Sequence, residues 1–189
     1  AIAGAINQDG KEAKDLTDEV TELPNARALR YRFEIEADRA RRHGESFAVV
    51  MMDLDGFKQI NEKLGQDGGN HLLWKVGKVL SGLVRSSDFI GRFAADRFVA
   101  MLQVPPDEVE ELVERIRQTL EQQDFGFVNS NIFIQMSVGW AAYGTHGETL
   151  DELLVAALHP MFQDKARRKN TQPRSEYVRA YDLSQYKVM

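Results

Sequence analysis

The residues best suited to chemistry lie in one short run, Asp53-Leu54-Asp55-Gly56-Phe57-Lys58. Two carboxylates stand at positions i and i+2, followed by a glycine, an aromatic residue and a cation. On a strand, i and i+2 point to the same face, so Asp53 and Asp55 start on one side of the backbone. Hard divalent cations such as Mg2+ are bound by carboxylate and carbonyl oxygens, often together with a phosphate. The run is therefore a candidate divalent-cation site. A strand that ends in a polar turn, with Asp55 capping the next helix, accounts for the same residues equally well. A second run, Arg85-Ser86-Ser87-Asp88, sets a guanidinium three residues before a carboxylate. Taken alone, it is compatible with a surface ion pair at a helix-to-strand junction, a feature of little energetic worth.

The surrounding pattern supplies the elements that would position these groups. Leu23-Pro24-Asn25 reads as a turn and helix start. Residues 26–42 have helical spacing, with Leu29, Phe33 and Ile35 among charges, and Gly44 ends them. Residues 47–54 are short and rich in Val and Met, as in a buried central strand. A helix follows Phe57, breaks over 65–69 and resumes over 70–84. Residues 89–93 and 98–104 read as the arms of a β-hairpin around Ala94-Ala95-Asp96-Arg97. That corner lacks the Gly or Asn a tight turn favours. After Pro105-Pro106 a helix runs from Asp107 to about Gln122. Residues 132–143 read as a strand. Residues 149–168 read as a helix opened by a capping box at Thr149. Pro160 falls inside that last helix and should kink it, which would move Lys165. Residues 177–181 suggest a final strand. This order predicts an α+β fold with a central, mostly antiparallel sheet flanked by helices.

Composition narrows the function class. The 189 residues carry a net charge of −5, with a sequence pI of about 5.4, so nothing favours an electrostatic grip on nucleic acid or an anionic membrane. Local basic groups at Arg39, Arg41 and Arg42, and again over 165–169, read as solvated helix faces. With no cysteine, disulfides and thiolate metal sites are excluded, in keeping with a reducing compartment. The longest apolar run, 47–52, is far too short to span a bilayer, so this segment is not expected to insert into a membrane. The N-terminus lacks a signal-peptide pattern. Residues 1–16 read as a linker or the remnant of a signalling helix, and 17–189 as the folded domain of a longer protein. Trp74 reads as a core or interface residue and Trp140 as packing, and the four histidines show no ligand spacing.

Around Arg85 the spacing becomes specific. Arg85-Ser-Ser-Asp88-Phe-Ile-Gly-Arg92-Phe-Ala94-Ala95-Asp96-Arg97-Phe98 resembles the GGDEF, or diguanylate cyclase, family, in which Arg-x-x-Asp precedes an arginine and a Gly-Gly-Asp/Glu-Glu-Phe hairpin. Ordered blocks around it also resemble that family. They include Asp18 to Asn25, Asp53 to Asn61, Gly65-Gln66-Asp67-Gly68-Gly69-Asn70, Glu114 to Arg117, Ser137-Val138-Gly139 and Lys165 to Asn170, so the likeness covers roughly residues 16–181. The resemblance implies a nucleotide-cyclase or polymerase-palm-like fold in a bacterial, cytoplasmic signalling protein. It implies a two-fold homodimer in which two GTP molecules condense to cyclic di-GMP with two metal ions. By position, Asp53, Leu54 (through its carbonyl) and Asp96 match metal ligands. Phe57 and Lys58 match a triphosphate cradle, while Asn61 and Asn70 match guanine contacts. Lys165 and Lys169 match phosphate-binding residues, with lysine at 169 where the family usually has arginine. Mg2+ is expected only if GTP binds. Arg85, Asp88 and Arg115 match an inhibitory site for cyclic di-GMP.

The departures are concentrated at the chemistry. Ala94-Ala95 replaces the glycine pair, Arg97 the glutamate, Asn70 an aspartate and Gln66 a histidine. Each alanine adds a methyl where backbone must turn sharply or approach a ligand. Arg97 places a cation where two metals should sit, a reversal worth roughly several kcal/mol at about 4 Å. Asn70 loses a charge-assisted acceptor for guanine. The hairpin Ala94, Ala95, Asp96, Arg97 and Phe98 is therefore read as catalytically impaired. The expected function is that of a cyclic di-GMP receptor or regulatory module. An active diguanylate cyclase, a GTP-binding regulator and a dimerisation scaffold remain the alternatives.

Overall fold

The computed structural model describes residues 16–126 and 132–170, with side chains as far as Arg168. Most of the 1–16 linker and the suggested strand at 177–181 lie outside the described residues. Among the described residues, four helices and four strands follow one another: α1 (Ala26–His43), β1 (Ala48–Asp55), α2 (Phe57–Leu83), β2 (Phe89–Ala94), β3 (Arg97–Leu102), α3 (Val109–Gln122), β4 (Gln135–Ala142) and α4 (Leu150–Asn170). The sheet order is β2-β3-β1-β4, and every neighbouring pair is antiparallel. This is the expected α+β fold, with β1 at its centre.

The alternation of β1 sorts the core into two layers. Val49 and Met51 face a cluster with Leu29 and Phe33 of α1 and with Leu153 and Ala157 of α4. Val50, Met52 and Leu54 face the opposite cluster, with Leu72 and Val76 of α2 and Val113 and Ile116 of α3. A strand buried on both faces must be apolar at successive positions, which is why residues 47–54 look continuous rather than alternating. Each such side chain contributes about 1.5–3 kcal/mol on burial. Asp53 breaks the apolar series and, by its odd register, points to the α1/α4 side.

Local chemistry sets the helix ends. The Asn25 side chain accepts hydrogen bonds from the Arg27 and Ala28 amides, and Gly44 closes α1 with φ 65°. Ile35, counted among the helical apolar positions, is exposed. Thr149 and Glu152 form the expected reciprocal capping box at α4.

Two expectations need correction. The break in α2 is a single residue, Gly65 at φ 72° and ψ 172°, and the helix resumes at once rather than at Asn70. One glycine suffices, because it alone can take that conformation cheaply. Likewise α4 runs through Pro160 to Asn170 as one element. Its packing on β4 outweighs the lost hydrogen bond. A methyl at Gly139 would lie 2.1 Å from the Ala157 carbonyl oxygen and 2.5 Å from the Met161 nitrogen, so only glycine lets the helix approach this closely.

Candidate functional site

Asp53 stands directly opposite Arg97 on β3 and Ser137 on β4, giving a polar row across three strands. By alternation the row belongs to the sheet face covered by α4, and α4 contributes Lys165. Asp53 is 0% exposed and Arg97 2%. The Arg97 Nε donates to Asp53 Oδ2 at 3.0 Å, and the Lys165 ammonium pairs with Asp53 Oδ1. Lys165 also lies 3.7 Å from Asp55, so the two carboxylates do share a face. The alternative role for Asp55, capping α2, is not adopted. Gly56 is the N-cap residue and no side chain caps it, whereas Asp55 accepts a hydrogen bond from the Ser137 hydroxyl at 2.8 Å. Burial raises the Asp55 pKa, opposed by the Ser137 hydrogen bond and the Lys165 charge. Burial, and then the charge of Asp53, push Asp96 up to about 6. Lys165, which a kink at Pro160 was expected to move, reaches Asp53 and completes the cluster.

This donor set does not fit a two-metal centre. Both oxygens of Asp53 are engaged by protein cations. Among the described residues, no group of three or more carboxylate or imidazole side chains is arranged to hold a metal ion. The Leu54 amide is committed to the Asp96 carbonyl at 3.2 Å, which ties the hairpin corner back to the end of β1.

The hairpin corner carries its own strain. Ala94 pairs with Arg97, leaving Ala95 and Asp96 as the turn, and Ala95 has φ 47°. A left-handed conformation costs an L-residue roughly 1–2 kcal/mol. Arg92 holds the corner in place. Its Nε and Nη2 donate to the Ala95 carbonyl at 2.9 and 2.7 Å, and its Nη1 pairs with Asp18 at 2.9 Å. Asp18 in turn accepts from the Thr21 amide and hydroxyl. Arg92 and Asp18 were quoted only as spacing markers in the sequence. The position of Arg92 just before the hairpin was the available signal, but its contact needs a turn 74 residues away.

On the side matched to guanine, Asn61 Oδ1 is buried without a hydrogen-bond partner. Its amide packs where a Gly69 side chain would be, 1.7 Å from a methyl placed there. Asn70 accepts a 3.3 Å bond from Gln66. Phe57 is buried against the core, and Lys58 is exposed, 3.8 Å from Glu62. Lys169 has no described side chain.

The Arg-x-x-Asp run is not an ion pair. Asp88 accepts from the Arg85 backbone amide at 2.8 Å and from the Gln103 amide at 2.9 Å, which ties the α2–β2 turn to the end of β3. Arg85, just beyond α2, and Arg115, on α3, are both exposed, and α2 and α3 share one layer. Among the described residues neither guanidinium has an ion-pair partner. Several other basic groups are spent on neighbours: Arg39 on Glu45, Arg42 on Asp38, and Arg168 on Glu121.

Residues 15–171 match the family model described as diguanylate cyclase, GGDEF domain. The chain belongs to the GGDEF family. It is 33% identical over 156 residues to the bifunctional diguanylate cyclase/cyclic di-GMP phosphodiesterase MucR of Pseudomonas aeruginosa, covering 82% of this chain and 23% of that protein. It is 32% identical over 155 residues to the diguanylate cyclase DosC of Escherichia coli, covering 81% of this chain and 34% of that protein. A crystal structure of a sensory box/GGDEF family protein from Caulobacter crescentus superposes with TM-score 0.75 at 28% identity, covering 80% of this chain and 99% of that one. This GGDEF chain therefore spans about a quarter of MucR and a third of DosC. No helix among its described residues is long and apolar enough to cross a membrane.

Proposed function

We propose that this GGDEF domain binds cyclic di-GMP through Arg85, Asp88 and Arg115, and does not synthesise it efficiently. The observation that carries the reading is the division of labour at the Arg-x-x-Asp run. Asp88 is oriented by two backbone amides, while the Arg85 guanidinium stays exposed and outside any ion pair among the described residues. A carboxylate held in this way keeps lone pairs for guanine N–H groups. A guanidinium suits both a guanine edge and a phosphate, through paired hydrogen bonds. Arg115, from the neighbouring helix, adds a second such group. The relatives named as diguanylate cyclases and phosphodiesterases support the ligand class. The alanines at 94 and 95 and the Arg97–Asp53 pair support weak or absent synthesis. Binding would be passed to another domain of a longer chain or to a second copy in a homodimer.

A second reading, a GTP-binding regulator, draws on the unpartnered Asn61 oxygen, which a guanine N–H would satisfy. Calorimetric titration with cyclic di-GMP separates the two. The receptor reading expects micromolar or tighter binding that Arg85→Ala loses. GTP binding unaffected by Arg85→Ala, with no cyclic di-GMP binding, would replace it with the regulator.

A further inference from the structure

We infer that Arg97 acts as a built-in counter-ion to Asp53, occupying the role a divalent cation would have there, so that this pocket takes no metal. Charge alone predicts a different outcome. A cation added beside a metal site should repel the metals and leave the carboxylates in place. The geometry instead puts the guanidinium on the carboxylate. Asp53 and Arg97 are directly cross-strand neighbours, where side chains meet most closely. Nε to Oδ2 is 3.0 Å, and the second carboxylate oxygen is taken by Lys165.

Three features make the replacement stable. Arg97 and Asp53 are 2% and 0% exposed, so an ion could reach Asp53 only by displacing the guanidinium or the Lys165 ammonium. Mg2+ is reluctant to dehydrate and wants near-octahedral oxygen ligands, which a carboxylate with both oxygens engaged does not supply. In formal charge Arg97 and Lys165 offset Asp53 and Asp55, which leaves Asp96 as the cluster's remaining acid. The hairpin substitution thus repairs the electrostatics of a buried carboxylate as well as removing the family's glutamate.

The test is Mn2+ binding to the full chain, read from the electron paramagnetic resonance signal of free Mn2+, with Mg2+ as competitor. The wild type is expected to show no saturable Mn2+ binding up to millimolar concentrations, and no Mg2+-dependent change in melting temperature. Arg97→Glu, which removes the counter-ion and adds a ligand, is expected to tighten Mn2+ binding by roughly tenfold or more. The neutral double variant Asp53→Asn with Arg97→Gln keeps the shapes and the charge balance, and should resemble the wild type. Saturable wild-type binding that this double variant abolishes would overturn the inference, whether or not Arg97→Glu folds. An Arg97→Glu protein that folds and still binds no Mn2+ would overturn it too.

Discussion

Arg97 and Lys165 hold the same carboxylate from unequal positions, and their substitutions should differ accordingly. Removing one partner of a buried pair leaves an uncompensated charge, at a cost of about 3–5 kcal/mol. Arg97→Ala should lose that much in urea unfolding. Lys165→Met should lose less, about 1–3 kcal/mol, because the Lys165 side chain is 17% exposed and Arg97 still neutralises Asp53. At the hairpin corner the expected sign is opposite. Ala95→Gly relieves a positive φ and should stabilise by about 1 kcal/mol, raising the melting temperature by roughly 2–4 °C. These residues also show what a sequence can reveal. The pairing of Asp53 with Asp55 on one face follows from a period of two, and Lys165 follows from the family's spacing. The sign of Arg97's effect does not follow, because residue type gives a charge but not whether it lies on a carboxylate or beside a vacant ligand position. Asp88 was misleading for a similar reason, since its partners are backbone amides that carry no sequence signature.

Among the elements, the placement of Lys165 depends on α4 lying close to β4 at Gly139. Gly139→Ala would drive a methyl into the helix backbone. It should destabilise by about 1–3 kcal/mol and loosen the Lys165–Asp53 contact, visible as increased amide exchange in the last turns of α4. Pro160 was expected to kink this helix because propensity is local. The contact that keeps α4 in place is tertiary, so no window of sequence around Pro160 contains it. The opening turn makes a pH prediction. Desolvation raises the Asp18 carboxyl, but hydrogen bonds from Thr21 and Arg92 and the Arg92 charge outweigh it, leaving the pKa below the ordinary 3.8. An acid with a depressed folded pKa stabilises above its unfolded value and loses that contribution as pH falls through the folded one. Stability should therefore drop below about pH 4, and Asp18→Asn should flatten that part of the profile while lowering stability at neutral pH.

Over the whole molecule, the helix and strand order of the described residues was legible. Hydrophobic period and capping residues determine most of those boundaries within a few positions. The sheet order β2-β3-β1-β4 was not legible in the sequence, since pairing across the sheet joins residues far apart in the chain. The same architecture separates two surfaces. The Asp53 cluster is closed beneath α4, while Arg85 and Arg115 stay open on the α2/α3 side. Cyclic di-GMP at a hundredfold excess over its dissociation constant should then stabilise the fold by about 2.7 kcal/mol.

The most direct test of the account is incubation of the purified chain with GTP and Mg2+, followed by chromatography for cyclic di-GMP and pyrophosphate. A sealed Asp53–Arg97–Lys165 cluster predicts neither product above the level seen with Asp53→Ala. Steady formation of cyclic di-GMP that Asp53→Ala abolishes would contradict it, and would make Asp53 a working ligand rather than a structural one.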